Sequence, residues 1–315
     1  MRLSLDLPVK APFQWFDHST ISPDGRLVVF IAAGADGKRS LWIRPLQSLQ
    51  ATQLAGTEDA LQPFWSPDGR SIGFFAEGKL KRVEASGGPP QALADAPNPN
   101  GGSWSRDGVI LFNPNQYKPL FRVPSVGGAA VVVTKLAAGE DGHIWPTFLP
   151  DGKHFVFLGD ASTTPNHSIR LGSLDSPESA KLVSPAVTNL AVAPPDWVLF
   201  VRSGALIAQQ LDVSAKQFVG EPIPLGEQIA LMDLLHGFDF SVSATGVLLY
   251  RSANPDSRLV WFDRTGACLL YKRLHDARFG LPASGDAPGV CIDGAALARL
   301  LDGVPRPGRC TRHAT

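Results

Sequence analysis

A turn sequence that recurs along the chain constrains the fold more than any other feature. Its clearest copy is Ser66-Pro67-Asp68-Gly69. Proline at the second position presets the φ angle of a type I turn, serine and aspartate can bond the local backbone, and glycine tolerates the left-handed conformation that follows. A type I turn followed by a left-handed glycine is a common hairpin loop. We therefore expect one strand before each copy and another after it.

The copies recur at a regular interval along most of the chain. Successive copies are separated by 44, 39, 44, 45 and 49 residues, measured at the aspartate or the residue in its place. A period of about 40 to 50 residues is typical of propeller blades with four strands each. The positions that define this period are Asp24, Asp68, Asp107, Asp151, Asp196 and Thr245.

Apolar segments accompany each turn and indicate the strands. Every turn is preceded by an apolar residue, such as Trp65, and followed by a short apolar run, such as residues 72–75. Runs of this kind are typical of strands covered on both faces. The six repeats predict an all-β fold, a β-propeller of about six four-stranded blades over residues 1–270. The alternating segment at residues 3–7 is a candidate for a strand that completes the last blade.

The repeat pattern stops after Leu270. Residues 271–315 are rich in Ala, Gly, Pro and Arg and show no pair of strands. This irregular tail is either a degenerate blade or out-of-frame sequence, so the ring is either closed or short of blades.

Composition limits the partners of the chain. The 315 residues contain 29 Lys and Arg and 29 Asp and Glu, so no net field would attract nucleic acid. The cysteines Cys268, Cys291 and Cys310 have no metal or redox spacing. No segment reads as a signal peptide or as a membrane helix, which predicts a cytoplasmic protein without direct membrane insertion.

The sequence favours a non-catalytic protein. It lacks the Gly-rich loop, the His-Arg-Asp loop and the Asp-Phe-Gly site of a kinase, and it lacks a P-loop and the nucleophile elbow of a serine hydrolase. No histidine pair has metal-site spacing, so we expect no catalytic, metal-binding or cofactor-binding residues and no cofactor.

Candidate site residues are therefore few. We assign a structural role in turns, rather than acid catalysis, to the repeated aspartates and glycines. His143 and Trp145 are candidates for a ligand face, because loops at one end of a propeller often carry ligands, although packing is the simpler explanation. The repeat tryptophans are expected to pack between blades, with a carbohydrate-stacking platform as the alternative; they are Trp42, Trp65, Trp104 and Trp145. The turn residues are Asp24, Gly25, Asp68, Gly69, Asp107, Gly108, Asp151 and Gly152.

With these motifs in place, residues 1 to about 265 resemble the TolB-type, WD-repeat-like β-propellers. The chain is most similar to the C-terminal propeller region of bacterial, acidobacterial-type membrane serine/threonine protein kinases. That resemblance implies an extracytoplasmic or periplasmic sensor module, with a kinase domain encoded upstream. The segments that carry it are residues 64–75, 78–83, 145–152, 172–176 and 240–243.

The predicted function is an interaction or sensor module that binds a protein, peptide or envelope ligand. One alternative is the propeller gating domain of a prolyl-oligopeptidase-like peptidase, which would need an α/β-hydrolase domain. A second is a TolB-like periplasmic scaffold, and a third is a propeller enzyme with acidic or metal-binding residues in the central channel.

Overall fold

The computed structural model describes residues 18–34, 37–48, 50–160, 167–183, 189–226, 229, 237, 239–251, 257–262 and 268–270. In three of these segments, residues 179–183, 257–262 and 268–270, only the backbone is described. Every regular element in the described residues is a β-strand.

The first three repeats each form a four-stranded sheet, which we call a blade. Blade one contains β1 (Ser19–Ile21), β2 (Leu27–Ala33), β3 (Arg39–Pro45) and β4 (Thr52–Gln53). Blade two contains β5 (Leu61–Trp65), β6 (Ser71–Ala76), β7 (Lys79–Glu84) and β8 (Gln91–Asp95). Blade three contains β9 (Gly102–Trp104), β10 (Val109–Phe112), β11 (Phe121–Pro124) and β12 (Val131–Val132).

The last three repeats form sheets with the same strand order. Blade four contains β13 (Gly142–Phe148), β14 (His154–Asp160), β15 (Ser168–Ser173) and β16 (Ser176–Val183). Blade five contains β17 (Ala191–Ala193), β18 (Trp197–Arg202), β19 (Ala205–Asp212) and β20 (Gln217–Gly226). Blade six contains β21 (Phe240–Val242), β22 (Val247–Arg251), β23 (Ser257–Phe262) and β24 (Cys268–Leu270).

Within each blade the strands pair in chain order and antiparallel, as hairpin-connected neighbours do. Blades one to five have side chains described on all four strands, whereas in blade six only β21 and β22 do. The all-β propeller predicted from the sequence is thereby confirmed. The predicted strand at residues 3–7 and the tail at residues 271–315 lie outside the described residues.

The first strand of each blade lies at the centre of the ring. Each of these strands contacts the first strand of the next blade, and β21 of blade six contacts β1 of blade one. The contact between β21 and β1 is polar: Asp239 Oδ1 accepts hydrogen bonds from the amide (3.0 Å) and hydroxyl (2.8 Å) of Ser19, and Ser241 Oγ accepts one from the Ile21 amide (3.0 Å). Within the described residues the ring is therefore continuous.

The second strands supply the hydrophobic core, because both faces of each are covered by neighbouring blades. All six residues of β6 are buried. On one side Phe74 packs against Val29 and Ile31 of blade one, and on the other Phe75 packs against Ile110 of blade three. The core is thus a series of layers between blades rather than a single centre.

Candidate functional site

The central strands surround a cavity of about 350 Å³ that is open to solvent. Residues from the first strand of all six blades line it, together with residues of the turns that follow. Hydrogen bonds between blades hold this wall in place. Trp65 Nε1 donates to the Thr20 carbonyl (3.3 Å), Gln62 Oε1 accepts from the Gly101 amide (2.7 Å), and Ser103 Oγ accepts from the Phe148 amide (3.0 Å).

The repeated turns form one end of this cavity, which we call the mouth. Each turn contributes a residue to the lining, namely its second position in five repeats and its first position in the fifth. Five of these residues are proline or alanine, and only the third repeat has a charged residue there. The six residues are Pro23, Pro67, Arg106, Pro150, Pro194 and Ala244.

Aromatic side chains form much of the cavity wall. Trp145 has a positive φ of 53°, its amide donates to the Asn100 carbonyl (2.9 Å), and its ring centroid lies 5.6 Å from that of His18. A Cβ atom at Gly101 (φ +88°) would lie 2.9 Å from the Trp145 backbone, so only glycine fits beside it. The aromatic residues of the wall are Phe64, Trp65, Trp104, Trp145, Phe148 and Phe240.

Among the described residues, three with ionisable side chains line the cavity, namely His18, Arg106 and Asp239. Asp239 is 3% exposed, accepts the two hydrogen bonds from Ser19 and forms an ion pair with Arg251 (3.4 Å). Its negative charge is therefore compensated inside the wall. Arg106 is exposed at the mouth, and no described carboxylate forms an ion pair with it.

The structure places the repeated aspartates in turns outside the cavity lining. Ser66 Oγ donates to Asp68 Oδ1 (2.6 Å), which also accepts from the Arg70 amide (3.1 Å). The hydrogen bond from Ser66 is the main cause that lowers the pKa of Asp68, and it outweighs the opposing effect of burial. The glycines that follow the aspartates have positive φ angles of 70° to 76° at Gly25, Gly69, Gly108 and Gly152.

The histidine considered for a ligand face is packed inside the protein, which was the simpler of the two explanations. His143 is fully buried between blades three and four, where its ring contacts Phe157 at 4.6 Å and bonds Thr134 and Glu140. Residues two apart on a regular strand share a face, but the register of β13 shifts between Ile144 and Thr147 and Trp145 has a positive φ, so Trp145 reaches the cavity while His143 does not. The expectation that His143 lines an exposed face is therefore corrected.

The repeat tryptophans fall into two groups. Trp65, Trp104 and Trp145 line the cavity while also packing against the inter-blade clusters. Trp42 lies in β3 and donates to the Ala32 carbonyl within blade one (3.1 Å). All four were expected to pack between blades, and the structure adds that the three on first strands also reach the cavity.

Arg106 is the functional candidate that sequence reasoning missed. The signal was present, because Ser105-Arg106-Asp107-Gly108 departs from the repeat at its second position. A departure becomes informative only once the structure shows that this position faces the cavity mouth.

The described residues contain neither a metal site nor a membrane-spanning helix. In the described part of the chain, no three His, Cys, Asp or Glu side chains come together as a metal site. Over the same residues, no helix is long and apolar enough to cross a membrane.

Comparisons with protein families and curated proteins match only parts of the chain. The model of the IS66 Orf2 like protein family matches residues 240–308. The uncharacterized peptidase YuxL of Bacillus subtilis (strain 168) is 30% identical over 151 residues, which are 47% of this chain and 22% of the relative. The chain thus spans less than a quarter of that relative.

Comparison with solved structures matches the propeller. TolB from Acinetobacter baumannii superposes with a TM-score of 0.52 at 13% identity, over 67% of this chain and 54% of that chain. A chain of the nidogen/laminin complex gives 0.55 at 13% identity, over 76% and 89%. Oligogalacturonate lyase from Vibrio parahaemolyticus gives 0.50 at 13% identity, over 81% and 91%. At these identities the likeness concerns the fold alone, and that fold is a TolB-like β-propeller.

Proposed function

We propose that this propeller is a non-catalytic interaction module that binds a protein or peptide ligand at the mouth of its central cavity. The observation that carries the proposal is the aromatic-walled cavity, open at the end where six turns converge. Its volume of about 350 Å³ suits a few side chains of a ligand rather than a whole domain.

The wall has the properties of a binding site that is already formed before the ligand arrives. Side chains that bond across blades fix its shape, so little conformational entropy remains to be lost on binding. Aromatic residues are also the side chains that most often contribute large shares of binding energy in protein interfaces. An extended segment that inserts one or two apolar side chains would satisfy this geometry.

In its cellular context we propose a sensor role outside the cytoplasm. The support is the sequence resemblance to the propellers of bacterial membrane serine/threonine kinases, together with the TolB-like fold. In this arrangement the ring is a complete six-bladed propeller, supported by the polar contact between β21 and β1. An envelope protein or peptide is then the expected ligand class.

The test is to select peptides from a random displayed library against the folded propeller and then measure their affinity. Ala244→Trp places a large side chain at the mouth, where Ala244 is exposed and its replacement requires no repacking. We expect selected peptides to bind the native protein and to lose about ten-fold or more in affinity to this variant, which corresponds to about 1.4 kcal/mol.

The matched control is Ala215→Trp, which adds the same side chain at an exposed position outside the cavity lining. This variant should bind the selected peptides as the native protein does. If no peptide is enriched, or if Ala244→Trp binds as tightly as Ala215→Trp, the proposal is wrong.

A second candidate is the gating domain of a peptidase, favoured by the partial match to a protein named as a peptidase. The complete coding sequence distinguishes the two. A hydrolase domain with a nucleophile elbow in the same open reading frame would support gating, whereas kinase motifs and a membrane helix upstream would support the sensor.

A further inference from the structure

We infer that Arg106 makes the cavity mouth selective for ligands that carry a carboxylate beside an apolar side chain, namely acidic peptide segments. This inference rests on the proposed function, because it names the chemistry of the ligand that the same cavity takes. It concerns one residue whose position in the repeat is otherwise occupied by proline or alanine.

The Arg106 guanidinium has no carboxylate partner among the described residues. Of the three ionisable residues in the lining, Asp239 is already compensated by Arg251 and buried. Arg106 remains the one fixed charge of the described lining that no described carboxylate compensates. Arg106 therefore places a positive charge at the lining of the mouth, although the whole chain has no net charge.

The Arg106 side chain lies against the neighbouring turn. A Cβ atom at Gly152 would be 3.0 Å from Arg106 Cγ and 3.3 Å from Arg106 Nε. The arginine thus crosses from blade three to the turn of blade four, over a residue that has no side chain. Asp107 also approaches this point, at 3.0 Å from Oδ2, without forming an ion pair with Arg106.

The Arg106 charge lies in the same lining as the aromatic wall. Arg106 follows Trp104 by two residues in the same blade, and both line the cavity. A guanidinium binds carboxylates with paired hydrogen bonds, and aromatic walls favour apolar groups. A peptide carrying an aromatic residue next to aspartate or glutamate presents both groups at once.

The native repeat supplies a variant that should keep the fold. Arg106→Pro restores Ser-Pro-Asp-Gly, the sequence that the chain already uses at residues 22–25 and 66–69. Arg106→Lys keeps the charge without the planar pair of donors. Arg122→Gln removes one positive charge from an exposed strand of the same blade, away from the cavity lining, and serves as the control.

The probes are two capped hexapeptides that differ in one residue, one with phenylalanine followed by aspartate and the other with phenylalanine followed by asparagine. We expect the aspartate peptide to bind the native protein and Arg122→Gln about five-fold more tightly than the asparagine peptide at low salt. Arg106→Pro should abolish this preference, Arg106→Lys should retain part of it, and high salt should reduce it.

Selection from the displayed library, run in parallel on the native protein and on Arg106→Pro, separates the two proposals. Acidic residues should be enriched next to aromatic ones with the native protein only. Equal binding of both hexapeptides, or the same acid content in both selections, would overturn the role of Arg106 while leaving the interaction module intact. Failure of all peptides to bind would overturn both.

Discussion

Two buried threonines in this propeller accept the same kind of backbone hydrogen bond but have different second partners. In blade one, Thr57 Oγ1 accepts a hydrogen bond from the Leu41 amide (3.0 Å) and donates to the Leu54 carbonyl (2.6 Å). In blade three, Thr134 Oγ1 accepts from the Leu120 amide (2.9 Å) but pairs with His143 Nδ1 of blade four (2.7 Å). The first hydroxyl completes its own blade, and the second connects two blades.

The surroundings of the two threonines differ in the same way. Blades one and two meet at what we call the apolar junction, where Val29, Ile31, Trp65, Ile72 and Phe74 pack together. Burial of apolar surface stabilises this contact without requiring any particular partner.

Blades three and four also share apolar residues, but a buried polar network lies among them. We call the four residues Thr134, Glu140, His143 and Arg170 the polar junction. His143 Nε2 bonds Glu140 Oε2 (3.0 Å), and Arg170 forms an ion pair with the other oxygen of Glu140. Because each group depends on the others for compensation, the polar junction favours one arrangement of the two blades.

The blades of this repeat fold therefore meet through two kinds of contact at equivalent positions. Apolar contacts contribute most of the stability, whereas the polar junction favours one arrangement of the two blades. Removing one of its groups destabilises the fold, because a buried charge is left without compensation. Four changes, taken from the largest expected effect to the smallest, test this distinction.

The largest loss is expected at the apolar junction. Phe74 is fully buried, so Phe74→Ala removes its contacts with both blades and leaves a cavity. We expect the free energy of unfolding to fall by about 3–5 kcal/mol, measured by denaturant titration. Val131→Ala, at a half-exposed position of β12, should change it by less than about 0.5 kcal/mol. Comparable losses in the two variants would contradict the layered core.

Removal of the carboxylate from the polar junction should cost somewhat less. Glu140→Ala takes away the group that compensates Arg170 and accepts from His143, in a site where the Glu140 and Arg170 side chains are 8% and 13% exposed. We expect a loss of about 3 kcal/mol in the free energy of unfolding.

The control for Glu140 is an exposed ion pair elsewhere in the same two blades. Glu178 pairs with Lys135 at 3.4 Å, and both side chains are about 70% exposed. Glu178→Ala should cost less than about 1 kcal/mol. If both alanine variants lose the same amount, the polar junction acts as an ordinary surface ion pair.

The two junctions also differ in how far sequence could predict them. The repeat turns could be predicted from the sequence because their interactions are local. Ser22 Oγ bonds Asp24 Oδ1 (2.5 Å) and accepts from the Leu27 amide (2.9 Å), all within six residues. The strands could be predicted because an apolar run follows each turn. Both features repeat, so each copy supported the others.

The polar junction and the cavity mouth could not be predicted from the sequence in this way. Thr134, His143 and Arg170 come from two blades, and nothing in their spacing shows that they meet. His143 was noticed beside Trp145, yet only the irregular register of β13, with its positive φ at Trp145, determines which of them reaches the cavity. The role of Arg106 could be recognised only once the structure showed which end of the ring its turn occupies.

A smaller and more specific effect is expected from the threonines themselves. Thr57→Val and Thr134→Val each remove the acceptor for a buried amide, and we expect each to cost about 1–2 kcal/mol. Combination with Glu140→Gln separates them, because only Thr134 belongs to the polar junction.

For Thr134→Val with Glu140→Gln we expect a coupling energy of about 0.5 kcal/mol or more in a double-mutant cycle. For Thr57→Val with Glu140→Gln the losses should simply add. Denaturant titration of the six proteins measures both cycles. Additivity in both would show that His143 does not transmit between Thr134 and Glu140.

The smallest effect is the dependence of the polar junction on pH. Burial raises the pKa of Glu140, but hydrogen bonds from His143 and the Ala137 amide, with electrostatic attraction to His143 and Arg170, outweigh it and hold the pKa below the ordinary 4.5. Because the folded-state pKa is the lower one, the ionised carboxylate stabilises the fold above about pH 4.5, and this contribution is lost as pH falls towards the folded-state pKa. Glu140→Gln cannot titrate, so the stability gap between it and the native protein should narrow as pH is lowered from neutral into this range. Glu178→Gln changes the same charge on the exposed pair with Lys135 and should show no comparable narrowing. A gap for Glu140→Gln that stays constant with pH would mean that its hydrogen-bond geometry, and not its charge, holds blades three and four together.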